Sequence, residues 1–185
     1  MLRERQGDHV RRPRAPGPTS STASPTSTAA FLKVQIEAGA SAVQLFDSWA
    51  GALSPPTAAL GPPRLREGPQ GGRGLRRPRI HFGVGTGELL QLMGEAGADV
   101  VGVDYRVALD EAARRVGPGK ALQGNLDPAV LFASTAAVEA KTREVLHDAK
   151  DLEGHIFNLG HGVMPSTDPD ALTRLTEFVH AETAR

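Results

Sequence analysis

The 185-residue chain contains no cysteine. That excludes disulfides, thiolate metal sites and a cysteine nucleophile. It also has no surplus charge of either sign, with 21 Lys and Arg against 21 Asp and Glu. No global field therefore recruits nucleic acid or an acidic membrane surface. No apolar run approaches the roughly 20 residues needed to span a bilayer. These absences leave a cytoplasmic protein as the expectation, with no nucleic-acid partner and no membrane anchor. The length suits one domain of ordinary size.

The neutral total hides an asymmetry. Residues 1–28 are rich in Arg, Pro, Ser and Thr and have almost no large apolar residue after Val10. Residues 61–79, GPPRLREGPQGGRGLRRPR, hold six arginines, four prolines and five glycines against one acid, Glu67. Such composition buries too little apolar surface to offset chain entropy, so both stretches are expected to be irregular. A transit peptide or a solvated tail would account for the first. GC-rich coding DNA read out of frame would account for both, and is favoured because the second interrupts a regular pattern.

From residue 29 onward that pattern is helix and strand in alternation. Ala30–Ala38 places Phe31, Val34 and Ile36 on one expected helical stripe, closed by Gly39. Strands are expected at Ala42–Phe46, Ile80–Val84, Val100–Asp104, Lys120–Gln123 and His155–Asn158. Between and after them lie helical stretches at Glu88–Glu95, Ala108–Val116, Thr135–Lys150 and Asp170–Glu182, the last capped by Asp168-Pro169. Five strand–helix units without a hairpin signal imply a parallel sheet, doubly wound or barrel-like.

In both architectures chemistry gathers at the C-terminal ends of the strands. Polar residues recur there: Asp47-Ser48-Trp49, the Gly83–Gly87 loop, Asp104-Tyr105-Arg106, Asn125-Asp127 and Asn158-His161. The run HIFNLGHG at 155–162 adds a histidine between glycines, where the backbone is bare and an imidazole can exchange protons near neutral pH. Each of these also has a plainer reading. His161 can be incidental to a tight turn, Ser48 can cap a helix, and Asp104 and Asp127 can cap or order loops. Trp49 and Tyr105 read as packing residues.

The segment FGVGTGELLQLMGEAGADVVGVDYR admits a rival interpretation. A strand, three spaced glycines, a helix, a second strand and then Asp104 resemble the first motif of class I S-adenosylmethionine-dependent methyltransferases. There the acid binds ribose hydroxyls. Against that reading, a strand with its own polar terminus, Asp47-Ser48, precedes the motif.

FLKVQIEAGASAVQLFDSWAGALSP, RIHFGVGTGELL, GADVVGVDYRV, ALQGNLDP and HIFNLGHGVMPSTDPD, in that order over residues 31–185, closely resemble the C-terminal part of the uroporphyrinogen decarboxylase family. The resemblance implies the C-terminal five βα units of a (β/α)8 TIM barrel over residues 29–185, with 61–79 as an irregular insert. It implies a carboxy-lyase of haem biosynthesis that removes four acetate carboxyls of a tetrapyrrole, uroporphyrinogen III, as CO2. The family is usually a homodimer and uses no metal or organic cofactor. Carried over by motif, Ser48 and His161 would bind substrate carboxylates, and Phe46 and Asp47 would shape the pocket wall.

The family's arginine-bearing RQAGR segment, its catalytic aspartate and a substrate-contacting tyrosine have no counterpart here. Asp8 and Asp47 stand in the wrong context to replace that aspartate. No catalytic residue is therefore assigned to this chain, and little or no decarboxylation by it alone is expected. A half-barrel that serves as a non-catalytic partner is the alternative. Zinc-dependent methyl-transferring barrel relatives are disfavoured, because their zinc is held by histidine and cysteines.

Overall fold

The computed structural model describes residues 25–59 and 77–184. The stretches read as out-of-frame or irregular lie almost wholly outside the described residues. Two ends of them do not. The first helix, α1, begins at Pro25 and runs to Glu37, so it starts ahead of the boundary expected at residue 29. Arg79 is the first residue of strand β2, Arg79–Phe82, and not part of a basic insert. It is held there by Asp99, whose Oδ2 accepts from the Arg79 backbone N at 3.0 Å and from Nε at 2.9 Å.

The other strands are β1 (Val43–Phe46), β3 (Val100–Gly102), β4 (Ala121–Leu126) and β5 (His155–Leu159). The remaining helices are α2 (Pro55–Ala59), α3 (Leu90–Glu95), α4 (Leu109–Val116), α5 (Thr135–Asp148) and α6 (Pro169–Thr183). All adjacent strands pair in parallel, and spatial order equals chain order, β1-β2-β3-β4-β5. A doubly wound sheet would show a reversal of order at its ligand crevice. This sheet has none among the described strands. It is singly wound, as a barrel wall is.

Register gives each face its identity. Leu45, His81, Val101, Leu122 and His155 align across the five strands. Side chains at paired positions of a parallel sheet share a face, and residues two apart continue it. On this face Leu90 and Met93 of α3 and Leu109, Ala112 and Val116 of α4 pack with Val101, Val103 and Leu122 into one core. Each fully buried aliphatic side chain there is worth roughly 1.5–3 kcal/mol. A second core joins Leu126 to Leu131, Ala171 and Leu175, with α5 contributing Val138 and Val145.

The opposite face is concave. Gln123 Nε2 donates to Gln44 Oε1 at 3.3 Å although β2 and β3 lie between their strands. On a flat sheet three strand spacings would separate their backbones by about 14 Å. Between them, Phe82 leans over Gly102, where a Cβ would stand 2.8 Å from the ring. The curvature is that of a barrel wall seen from inside.

Local chemistry sets the element ends. Gly117, with φ of 83°, closes α4 where a side chain would be strained. Ser134 caps α5 and Asp168 caps α6, each accepting from a backbone N–H of the first turn. Two expectations need correction. Among the described side chains of α1 the buried one is Leu32, while Phe31 and Val34 are 66% and 62% exposed. FLKVQI has apolar residues on both sides of the helix, so period alone did not choose the face. Also, β4 runs on through Gly124-Asn125-Leu126, beyond the end expected at Gln123. Pairing of Asn125 with Asn158 and Leu126 with Leu159 overrides the turn-like composition.

Candidate functional site at the C-terminal rim

Parallel pairing places the C-terminal ends of all five strands along one rim. The loops there are fitted together by backbone contact. A Cβ at Gly51 would collide with the carbonyl oxygen of Val84, and one at Gly83 would stand 3.0 Å from that of Asp47. The FDSWAG and GVGTG loops are thus pressed on each other. Likewise a Cβ at Gly160 would collide with the backbone N of Tyr105 and stand 2.8 Å from its Cα. This locks the NLGHG loop against the end of β3. Gly160 N also donates to Leu126 O at 2.8 Å.

Asp104 is the electrostatic pin of this rim. It is 2% exposed. Its Oδ2 accepts from Gly85 N at 2.5 Å and from Arg106 Nη1 at 2.9 Å, and its Oδ1 accepts from Arg106 N at 2.9 Å. Three of the roughly four acceptor sites of this buried carboxylate are taken by the protein. It orders the loops and is closed to a ribose. Asn125, also buried, donates through Nδ2 to Asp104 O at 2.9 Å and Val107 O at 2.6 Å, tying β4 to the same turn. Arg115 reaches from α4 to Gly87 O at 3.0 Å and steadies the glycine loop from outside. Asp127 accepts from Ala129 N at 2.9 Å and caps the following 3-10 turn, Pro128–Phe132.

The four residues expected to meet a ligand fall in different settings. Ser48 is exposed just beyond β1. It does not cap a helix, since the 3-10 turn Ala50–Ala52 begins after Trp49. Phe46 is on the concave face, 66% exposed, with its ring edge-on to Phe82 at 6.0 Å. His161 is exposed beyond β5, with Nδ1 3.3 Å from Gly162 O. Asp47 turns to the helix-covered face instead, its carboxylate 3.7 Å from His81 Nε2. His81 is 4% exposed, and burial lowers its pKa more than Asp47 raises it. The structure brings Ser48 and His161 to one rim but at the sheet's two edges, β1 and β5.

Sequence reasoning assigned no role to Arg106, the permanent cation of the strand-end triplet Asp104-Tyr105-Arg106. Its guanidinium lies 4.4 Å from the Tyr105 ring centroid, over the ring face, and its side chain is 50% exposed. The cue was the DYR triplet itself: an acid, a ring and an arginine at a strand end.

Singly wound parallel strands with a polar C-terminal rim define this chain as βα units of a TIM-type barrel. A solved methyltransferase from Methanosarcina mazei shares that fold, with a TM-score of 0.69 at 16% identity, over 86% of this chain and 48% of that one. The uroporphyrinogen decarboxylase (URO-D) family model matches residues 24–182, and the chain belongs to that family. Among curated relatives, uroporphyrinogen decarboxylases from Streptomyces coelicolor and Streptomyces avermitilis are 74% and 73% identical over 159 residues, 85% of this chain. One from Nocardia farcinica is 63% identical over 161 residues. The chain spans about 45% of the length of these relatives. The class I methyltransferase reading finds no support in them, and neither the unreversed strand order nor the occupied Asp104 suits it.

Proposed function

We propose that this chain carries the carboxylate-binding rim of a uroporphyrinogen decarboxylase site, and that its described residues lack the free buried carboxylate that drives the chemistry. The supporting observation is that Ser48 and His161, from two motifs over a hundred residues apart, stand exposed on one rim. A serine hydroxyl and an imidazole are suited to hold acetate and propionate arms in register while one of them reacts. Losing CO2 from a pyrrole acetate requires protonating the pyrrole and stabilising the resulting cation. That stabilisation needs a buried carboxylate facing the tetrapyrrole centre. Among the described residues Asp104 is buried but spent on Gly85 and Arg106, and Asp47 faces His81. Phe46 supplies an apolar wall on the concave face; Asp47 acts on that wall indirectly, through the strand end.

The substrate class is a polycarboxylate tetrapyrrole. Family membership supports a cytoplasmic setting and a homodimer. Among the described residues, no helix is long and apolar enough to cross a membrane. The test is a titration with uroporphyrin, the stable oxidised form of the substrate, read by quenching of Trp49, the chain's single tryptophan. Ser48→Ala and His161→Ala should each weaken binding several-fold. Unchanged affinity in both would overturn the assignment.

A further inference from the structure

We propose that Arg106 is a third substrate-carboxylate ligand of this rim, a bidentate clamp set beside His161. The inference rests on the reading of the rim as a tetrapyrrole site. Three observations carry it. First, the guanidinium is positioned before any ligand arrives: Nη1 is held by Asp104 at 2.9 Å and Cζ lies over the Tyr105 ring, 4.4 Å from its centroid. Second, that anchoring is inexpensive in donors. Arginine has five N–H donors, and among the described residues Asp104 is the side chain that accepts from this guanidinium, through Nη1. The Asp104 carboxylate is 1% exposed while the Arg106 side chain is 50% exposed. Its negative charge is further shared by the N–H groups of Gly85 and Arg106. The rim therefore presents the cation and hides its counter-ion.

Third, the contact between Gly160 and the Tyr105 backbone places the loop carrying His161 directly beside this turn. A carboxylate arm reaching His161 passes near a planar fork that fits carboxylate geometry. Among the described residues, the other acidic and basic side chains of the strand-end motifs are Asp47, Asp104, Asp127 and His161, while Arg115, which reaches the glycine loop from outside, is already paired with Glu88 and Glu111.

The test extends the uroporphyrin titration on the full chain, with Ser48→Ala and His161→Ala measured alongside. Arg106→Gln should lower affinity about five- to tenfold, as expected for losing a charge-assisted contact that is partly exposed. It should also flatten the dependence of affinity on NaCl concentration, because one ion pair is gone. Arg106→Lys keeps a cation over Asp104 but loses the planar fork. It should bind with intermediate affinity and keep the wild-type salt dependence. If Arg106→Gln unfolds by circular dichroism, the lysine variant decides alone: affinity equal to wild type would then overturn the clamp. Arg106→Gln binding like wild type while Ser48→Ala and His161→Ala weaken overturns the clamp and leaves the rim standing. Weakening by Arg106→Gln alone supports the clamp and overturns the roles of Ser48 and His161. A wild-type chain that does not bind uroporphyrin overturns both.

Discussion

Gly160 sits so close to Tyr105 that a Cβ on it would stand 2.8 Å from the tyrosine Cα. The obstruction is backbone, which cannot swing aside as a side chain can. Gly160→Ala should therefore cost about 1–3 kcal/mol through overpacking, read as a lower midpoint of urea unfolding. Gly162, two residues on, has nothing within 4 Å of where its Cβ would be. Gly162→Ala should stay within about 0.5 kcal/mol of wild type. Equal effects of the two would contradict the locked-loop description.

Asp104→Asn removes a charge that accepts from Gly85 N, Arg106 N and Arg106 Nη1 while almost fully buried. We expect a loss of about 1.5–3 kcal/mol, the range for hydrogen bonds to a charged group. The exposed half of the ion pair contributes little of this, since solvent screens it. Denaturant unfolding checks it. No loss of stability would mean that Asp104 is a ligand-facing acid and not a structural pin.

His81 is buried on the helix-covered face, where desolvation pulls its pKa down and nearby Asp47 opposes that pull more weakly. His155 is shifted the same way by burial, against a hydrogen bond to Gly124 O. For both, the unfolded chain binds a proton more readily than the folded chain. Stability is then fully present above the ordinary histidine pKa of about 6.5 and falls as pH drops below it. His81→Leu should narrow the difference in unfolding free energy between pH 7.5 and pH 5. The same difference in wild type and variant would show that His81 does not carry the effect.

Much of this arrangement is legible in the sequence, for physical reasons. The five apolar strand segments announce themselves by short hydrophobic runs bounded by glycine, and their polar termini mark the rim. What sequence patterning misses is decided by partners far along the chain. Arg79 looks like the tail of a basic run until Asp99, twenty residues on, pins it into β2. Gly124-Asn125 looks like a turn until β5 pairs with it. Asp47 looks like part of a pocket because it precedes Ser48, yet strand alternation turns it toward His81. Arg106 escapes notice because nothing in the DYR triplet says that its counter-ion is buried and the cation is not.

Exposure also sets an expectation for the binding pair. Ser48 and His161 are both exposed. Ser48→Ala and His161→Ala should leave the unfolding midpoint within about 0.5 kcal/mol of wild type. A large destabilisation by either would identify a structural residue and remove it from the ligand set.

Under the proposed function, this chain holds the binding side of a decarboxylase site and not its reactive centre. The most direct measurement is an anaerobic assay of uroporphyrinogen III, with products oxidised and separated as porphyrins. The purified chain alone should release essentially no coproporphyrinogen. Mixed with the complementary N-terminal portion of the Streptomyces coelicolor relative, it should give product, reduced by Ser48→Ala and by His161→Ala. Turnover by the chain alone near that of an intact relative would contradict the claim, as would a mixture whose activity ignores both substitutions.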